Sequence, residues 1–117
     1  MNFLQLHRNA CCVFFLLFCG VCSAQIPNEN ARALSLAKQN ACLGCHAINK
    51  KIVGPGFQEV AKKYAGDPSA HLFLKNKIQK GGAGSWGVVP MPGNAKLGDA
   101  DLSLLTSWIL RGAPSAN

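Results

Sequence analysis

The run Cys42-Leu43-Gly44-Cys45-His46 constrains this chain most, because its two cysteines are the last among 117 residues. The other four, Cys11, Cys12, Cys19 and Cys22, crowd into the first twenty-two positions. There a basic start (His7, Arg8) precedes the apolar run Cys11–Val21, and Cys22 and Ala24 offer small residues to a signal peptidase. This layout predicts a secretory leader over residues 1–24, cleaved after Ala24, and one domain over 25–117. An uncleaved anchor is the competing reading, but a span needs about 20 apolar residues and this run has eleven. Cleavage takes the four early cysteines and leaves 93 residues with eleven basic and five acidic side chains, a formal charge of +6. Export places the domain in the oxidising periplasm, yet a cysteine pair three apart closes a ring too small to staple a fold. The positive charge suits an acidic partner surface; nucleic acid is out of place for an exported chain.

The remaining regular signals are helical. In 28–41, Ala33, Leu36, Ala37 and Asn40 fall at three- and four-residue spacings behind an Asn28 or Asn30 cap. Residues 56–65 make a short helix with Phe57, Val60, Ala61 and Tyr64 on one side. The stretch 67–82 opens with Asp67 as cap and Pro68 as first helical residue and stops at Gly81-Gly82. Residues 99–112 start at Asp99 and carry the stripe Leu102, Leu105, Trp108 and Ile109. They end through Arg111, Gly112 and Pro114. Between the last two helices, residues 81–98 are glycine- and proline-rich and read as a loop, although they hold Trp86, Val88, Val89 and Met91. The fold class is therefore all-α, about four helices with one long ordered loop. So small a domain buries only about 60% of its unfolded surface; a large apolar cofactor at its centre would supply the missing core.

C-x-x-C-H is the attachment signature of c-type haem. Two sulfurs with two residues between them can add across the haem vinyl groups, and the next residue, His46, then lies beneath the ring within reach of the iron. The rivals fit less well. A thioredoxin-like pair needs a βαβ setting, and strand signals are weak throughout. A structural zinc site needs four ligands, which would use every remaining cysteine and histidine: Cys42, Cys45, His46 and His71. For the sixth iron ligand, Met91 is the sole methionine after Met1 and sits between Pro90 and Pro92, 45 residues beyond His46. A core-filling role is the ordinary use of methionine, but a polar, glycine-rich loop is a poor place for it. His71 is the rival ligand, with a surface or capping role as its simpler use.

Three motifs in order, CLGCH (42–46), VGPGF (53–57) and GSWGVVPMPGN (84–94), make the chain resemble a bacterial class I cytochrome c of the small c-551/c-552 type. The likeness runs over essentially the whole exported part. It implies helices wrapped around one covalently bound haem, the first and last crossing near a right angle. It implies Cys42 and Cys45 as attachment points and His46 and Met91 as axial ligands. The Pro55 carbonyl would accept the Nδ1–H of His46. Trp86 would donate its indole N–H to a buried propionate, Lys77 would pair with the same propionate, and Asn94 would donate towards the Met91 sulfur. Two departures carry expectations. Ala37 replaces a frequent aromatic, so Leu36 and Trp108 should carry the packing of the first helix on the last. Gly93 replaces a frequent proline and should loosen the methionine loop.

Filling both axial positions closes the iron to substrates, which argues for electron transfer and against an enzyme. Methionine is a weak donor that raises the reduction potential, and an apolar shell of Phe57, Leu74, Ile78, Val88 and Val89 would push the same way. Lys38, Lys50, Lys51, Lys75, Lys80 and Lys96 would favour brief, salt-sensitive docking on an acidic partner. The expectation is a monomeric periplasmic shuttle without membrane insertion. The resemblance implies a quinol-oxidising complex upstream and a nitrite reductase or terminal oxidase downstream. A haem-based gas sensor whose Met91 detaches, and a dedicated haem c subunit of a periplasmic dehydrogenase, stay open as alternatives.

Overall fold

The computed structural model describes residues 28–117; the expected leader and its cleavage site lie outside them. Four α-helices follow in order: α1 (Glu29–Gln39), α2 (Phe57–Lys63), α3 (Ala70–Lys80) and α4 (Asp99–Leu110). Among the described residues there is no strand, only two isolated bridges, His46 with Lys51 and Gly82 with Met91. None of the described helices is long and apolar enough to cross a membrane.

Local chemistry sets the helix ends. Asn28 caps α1, its Oδ1 accepting from the N–H groups of Asn30 (3.0 Å) and Ala31 (3.3 Å). The Glu59 carboxylate accepts from Gly56 N–H at 2.7 Å and closes the start of α2. At α3 the sequence expectation moves by two residues. Asp67 caps a preceding turn, accepting from Ser69 N–H (2.8 Å) and Ser69 O–H (2.7 Å), and the helix proper begins at Ala70. Helix α4 ends as a Schellman motif: Gly112 (φ 85°) donates to Ile109 O at 2.8 Å and Ala113 donates to Trp108 O at 2.9 Å.

Helix α4 is the hub. Helices α1, α2 and α3 each pack against it, and the end of α2 meets α3 where the Tyr64 and Phe73 rings lie 5.5 Å apart. Its buried stripe is the one expected, Leu102, Leu105, Trp108 and Ile109, with Thr106 added. Trp108 donates its indole N–H to Pro114 O at 3.0 Å, so the chain end folds back over the hub. The α1 contact differs from expectation. Ala33 and Ala37 are wholly buried while Leu36 is only half-buried. Small side chains let α1 lie close on α4 without a large neighbour filling the seam.

Thr106 is fully buried, and among the described residues its hydroxyl has no hydrogen-bond partner. A buried unsatisfied hydroxyl is costly, so Thr106→Val should stabilise the protein by about 1 kcal/mol, raising Tm by roughly 4–8 °C; thermal unfolding followed by circular dichroism checks this. The Ser69 hydroxyl and then its N–H hold the Asp67 carboxyl below its ordinary value of 3.8. A depressed folded-state value means a stabilisation present above 3.8 and lost as pH falls through the lower folded value. Asp67→Asn should therefore lower Tm at neutral pH, and the gap to wild type should close in acid; a pH series of melts reads both.

Candidate cofactor site

The site begins where α1 stops. Asn40 ends the helix and Ala41 turns left-handed (φ 57°, ψ 16°), a conformation uncommon for a residue with a Cβ. A one-turn 3₁₀ helix, Cys42–Gly44, follows. Cys45 N–H and His46 N–H both donate to Cys42 O, at 3.2 and 2.9 Å. Spacing of three on a helical turn puts the Cys42 and Cys45 side chains on one face. Neither is joined in a disulfide. Burial pushes the Cys42 thiol up, partly offset by a backbone hydrogen bond, and the neighbouring Cys45 pushes it further up. A thiol-redox nucleophile needs the opposite shift.

His46 is held from several sides. Its Nδ1 lies 2.7 Å from Pro55 O. A carbonyl only accepts, so Nδ1 carries the proton and Nε2 of the neutral ring keeps its lone pair for a metal. Gly54 presses on the imidazole so closely that a Cβ there would sit 2.4 Å from Cε1. The Phe57 ring stacks on His46 (centroids 5.3 Å apart, planes at 14°) and meets Trp108 edge-on at 5.5 Å. An aromatic stack thus runs from the histidine into the α4 hub. The intervening loop is pinned by Phe57 N–H to Ala47 O and Gln58 N–H to Ile48 O, both 2.9 Å.

Met91 comes from the far end of the chain. It exchanges two backbone hydrogen bonds with Gly82 (2.9 and 3.0 Å), and Asn94 N–H donates to Ile78 O at 2.8 Å. Gly93, expected to loosen this loop, tightens it: a Cβ there would lie 2.7 Å from Lys80 C and 2.8 Å from Gln79 O. Glycine allows the loop backbone to press directly on the end of α3.

These segments line one cleft of about 340 Å³ with a mainly apolar wall. Cys42, Cys45, His46, Pro55, Lys77, Trp86 and Met91 all line it, together with Phe57, Leu74, Ile78, Leu105 and Ile109. His71 does not; it is exposed on α3 and pairs with Ser107 Oγ at 3.2 Å. That position leaves Cys42, Cys45 and His46 without a fourth cysteine or histidine zinc ligand among the described residues.

Several expected partners are arranged differently. Asn94 Nδ2 donates to Asn40 Oδ1 at 2.8 Å, tying the end of α1 to the methionine loop, and makes no hydrogen bond to the Met91 sulfur. Val88, expected in the apolar shell, is 92% exposed, and Val89 lines the cleft but is 63% exposed. Both belong to the glycine-rich loop 81–98, from which Val89 lines the cleft and Val88 does not. Lys75 leaves the docking set because its ammonium pairs with Asp99 at 2.5 Å. Sequence reasoning missed Asn40 and Lys63, whose partners lie 54 and 22 residues away with no local signal. Gly54 entered the sequence reading only as part of the VGPGF motif.

The chain is similar to known proteins. The Cytochrome c family model matches residues 31–113. Cytochrome c-552 of Hydrogenobacter thermophilus is 47% identical over 96 residues, covering 82% of this chain and 94% of its own length. Cytochrome c-551 of Allochromatium vinosum is 47% identical over 77 residues, 66% of this chain and 82% of its own. The crystal structure of Nitrosomonas europaea cytochrome c552 superposes with a TM-score of 0.65 at 43% identity, over 68% of this chain and 98% of that one.

Four helices hung on one hub around an apolar cleft, with C-x-x-C-H in its wall, are the make-up of a small class I cytochrome c. The chain belongs to the cytochrome c family. Its cofactor is one haem c, joined covalently through Cys42 and Cys45, and its work is monohaem electron transfer. The cleft fits that group: two reduced thiols share a face, an imidazole has its metal-binding nitrogen free, and the walls are apolar.

Gly54→Ala should force His46 from its seat. Overpacking of this kind costs about 1–3 kcal/mol, and the expected outcome is a lower Tm together with a weakened low-spin haem spectrum.

Proposed function

We propose that this chain is a periplasmic electron shuttle, exported by a leader over residues 1–24, with His46 and Met91 as its axial ligands. One observation carries the reading: His46, with its proton committed to Pro55, and Met91, fixed by paired backbone bonds to Gly82, line the same cleft as Cys42 and Cys45. Bound haem c supplies a one-electron ferric/ferrous couple. The Pro55 hydrogen bond orients His46 and raises its basicity. Met91, a weak thioether donor, favours the reduced state, and the apolar wall of Phe57, Leu74 and Ile78 disfavours extra charge in the cleft. Trp86 and Lys77, both lining the cleft, are the candidates to meet the propionates.

Exchange of electrons occurs at the mouth. Val53 and Val89 line the cleft while 52% and 63% exposed, and the exposed Lys51 lines it too. Such a face supports short-lived, salt-sensitive docking on an acidic partner. The partners that go with this reading are a quinol-oxidising complex as donor and a nitrite reductase or terminal oxidase as acceptor, as the resemblance to the c-551/c-552 type implies. The two backbone bonds at Met91 favour a carrier over a gas sensor, which needs that residue to leave. A dedicated dehydrogenase subunit would hold its partner in a stable complex rather than dock briefly.

Optical spectra of the exported protein test the ligation. Sharp low-spin bands and the weak far-red band of methionine-bound ferric haem are expected, with Met91→Ala losing the far-red band and His71→Ala keeping it. A high-spin wild-type spectrum would contradict the assignment.

A further inference from the structure

Segment 83–90 forms one wall of the cleft and has little to hold it. Gly82, Gly84 and Gly87 sit at φ 111°, 99° and 115°, where glycine alone is at ease. Val88 and Val89 face solvent and Trp86 is 43% exposed. The segment makes one internal backbone bond, Gly84 N–H to Gly87 O at 2.8 Å. Among the described residues a single hydrogen bond leaves it: the Lys63 ammonium donates to Ser85 O. The same Nζ lies 4.3 Å from the centroid of the Trp86 ring, well within cation–π range. Lys63 is the last residue of α2, and α2 is seated on the hub. One side chain therefore fastens a glycine-rich wall to the rigid frame.

We propose that Lys63 is a positioning residue for the haem site, holding segment 83–90 across the cleft and setting the orientation of Trp86. The ammonium meets the face of the indole, so the Nε1–H on the ring edge stays clear of it; that N–H has no protein acceptor among the described residues. A carboxylate at the cleft rim can then receive it. Fastening the wall also keeps water from the cleft and steadies the stretch that leads to Met91. A wetter cleft favours the more highly charged oxidised state, so release of the wall lowers the reduction potential. The inference rests on the haem-site reading above and adds a residue that acts through Trp86 and the loop.

The test uses the full haem-loaded protein and three variants. Lys63→Met keeps the stem but loses the cation and the donor; Lys63→Arg keeps both. Lys62→Met removes the same charge next door, from an exposed side chain that makes no hydrogen bond or ring contact among the described residues. Amide hydrogen exchange over residues 84–89 and the reduction potential are measured together. For Lys63→Met, exchange is expected to accelerate about fivefold or more and the potential to fall below that of Lys62→Met. Lys63→Arg should stay near wild type. Wild-type exchange in Lys63→Met, or equal changes in Lys62→Met, would overturn the proposal. Failure of the Met91 assignment would show separately, as a wild-type spectrum lacking the far-red band, while the exchange comparison still decides the role of Lys63.

Discussion

Three helices resting chiefly on α4, with α2 and α3 meeting through Tyr64 and Phe73, leave an apolar gap between them. The gap is the cleft, and its apolar wall is drawn from every helix of the frame: Ala37, Phe57, Leu74, Ile78, Leu105 and Ile109. A domain of this length buries too little surface to be comfortably stable on its own. Haem c, held by Cys42 and Cys45, completes the core as well as supplying the redox couple. Fold and function thus share one requirement.

Both candidate ligands are held chiefly through backbone. His46 is fixed by the Pro55 carbonyl, the bare backbone of Gly54 and the Phe57 ring behind it. Met91 is fixed by Gly82 and by the close approach of Gly93 to the end of α3. Backbone geometry is stiff and insensitive to surface substitution, which suits a carrier that must change charge without moving. Asn40 and Asn94 join the two halves, since one ends the helix before Cys42 and the other follows the Met91 loop.

The helices were legible because each has a period and an end signal: Asn28 before α1, Gly81 after α3, Asp99 and Gly112 around α4. The C-x-x-C-H run was legible because its chemistry is local. What escaped depends on distance or on absence. Ala33 and Ala37 pack α1 on α4 by being small, and nothing in the periodicity distinguishes that from a weak stripe. Asn94 finds Asn40 across 54 positions, and Lys63 finds Trp86 across a turn and a whole helix. Val88 was misplaced because hydrophobicity says a residue would gain from burial, while the glycine-rich backbone around it decides where it points.

The central claim is that the cofactor is the core. Circular dichroism of the Cys42→Ala, Cys45→Ala protein, produced without haem, tests it most directly. The account predicts that most of the native helical signal is lost, because without haem the apolar walls that α2 and α3 turn to the cleft have nothing to pack against. Full native-like helicity with a cooperative melt would show that α4 alone suffices to hold the frame, and would contradict it.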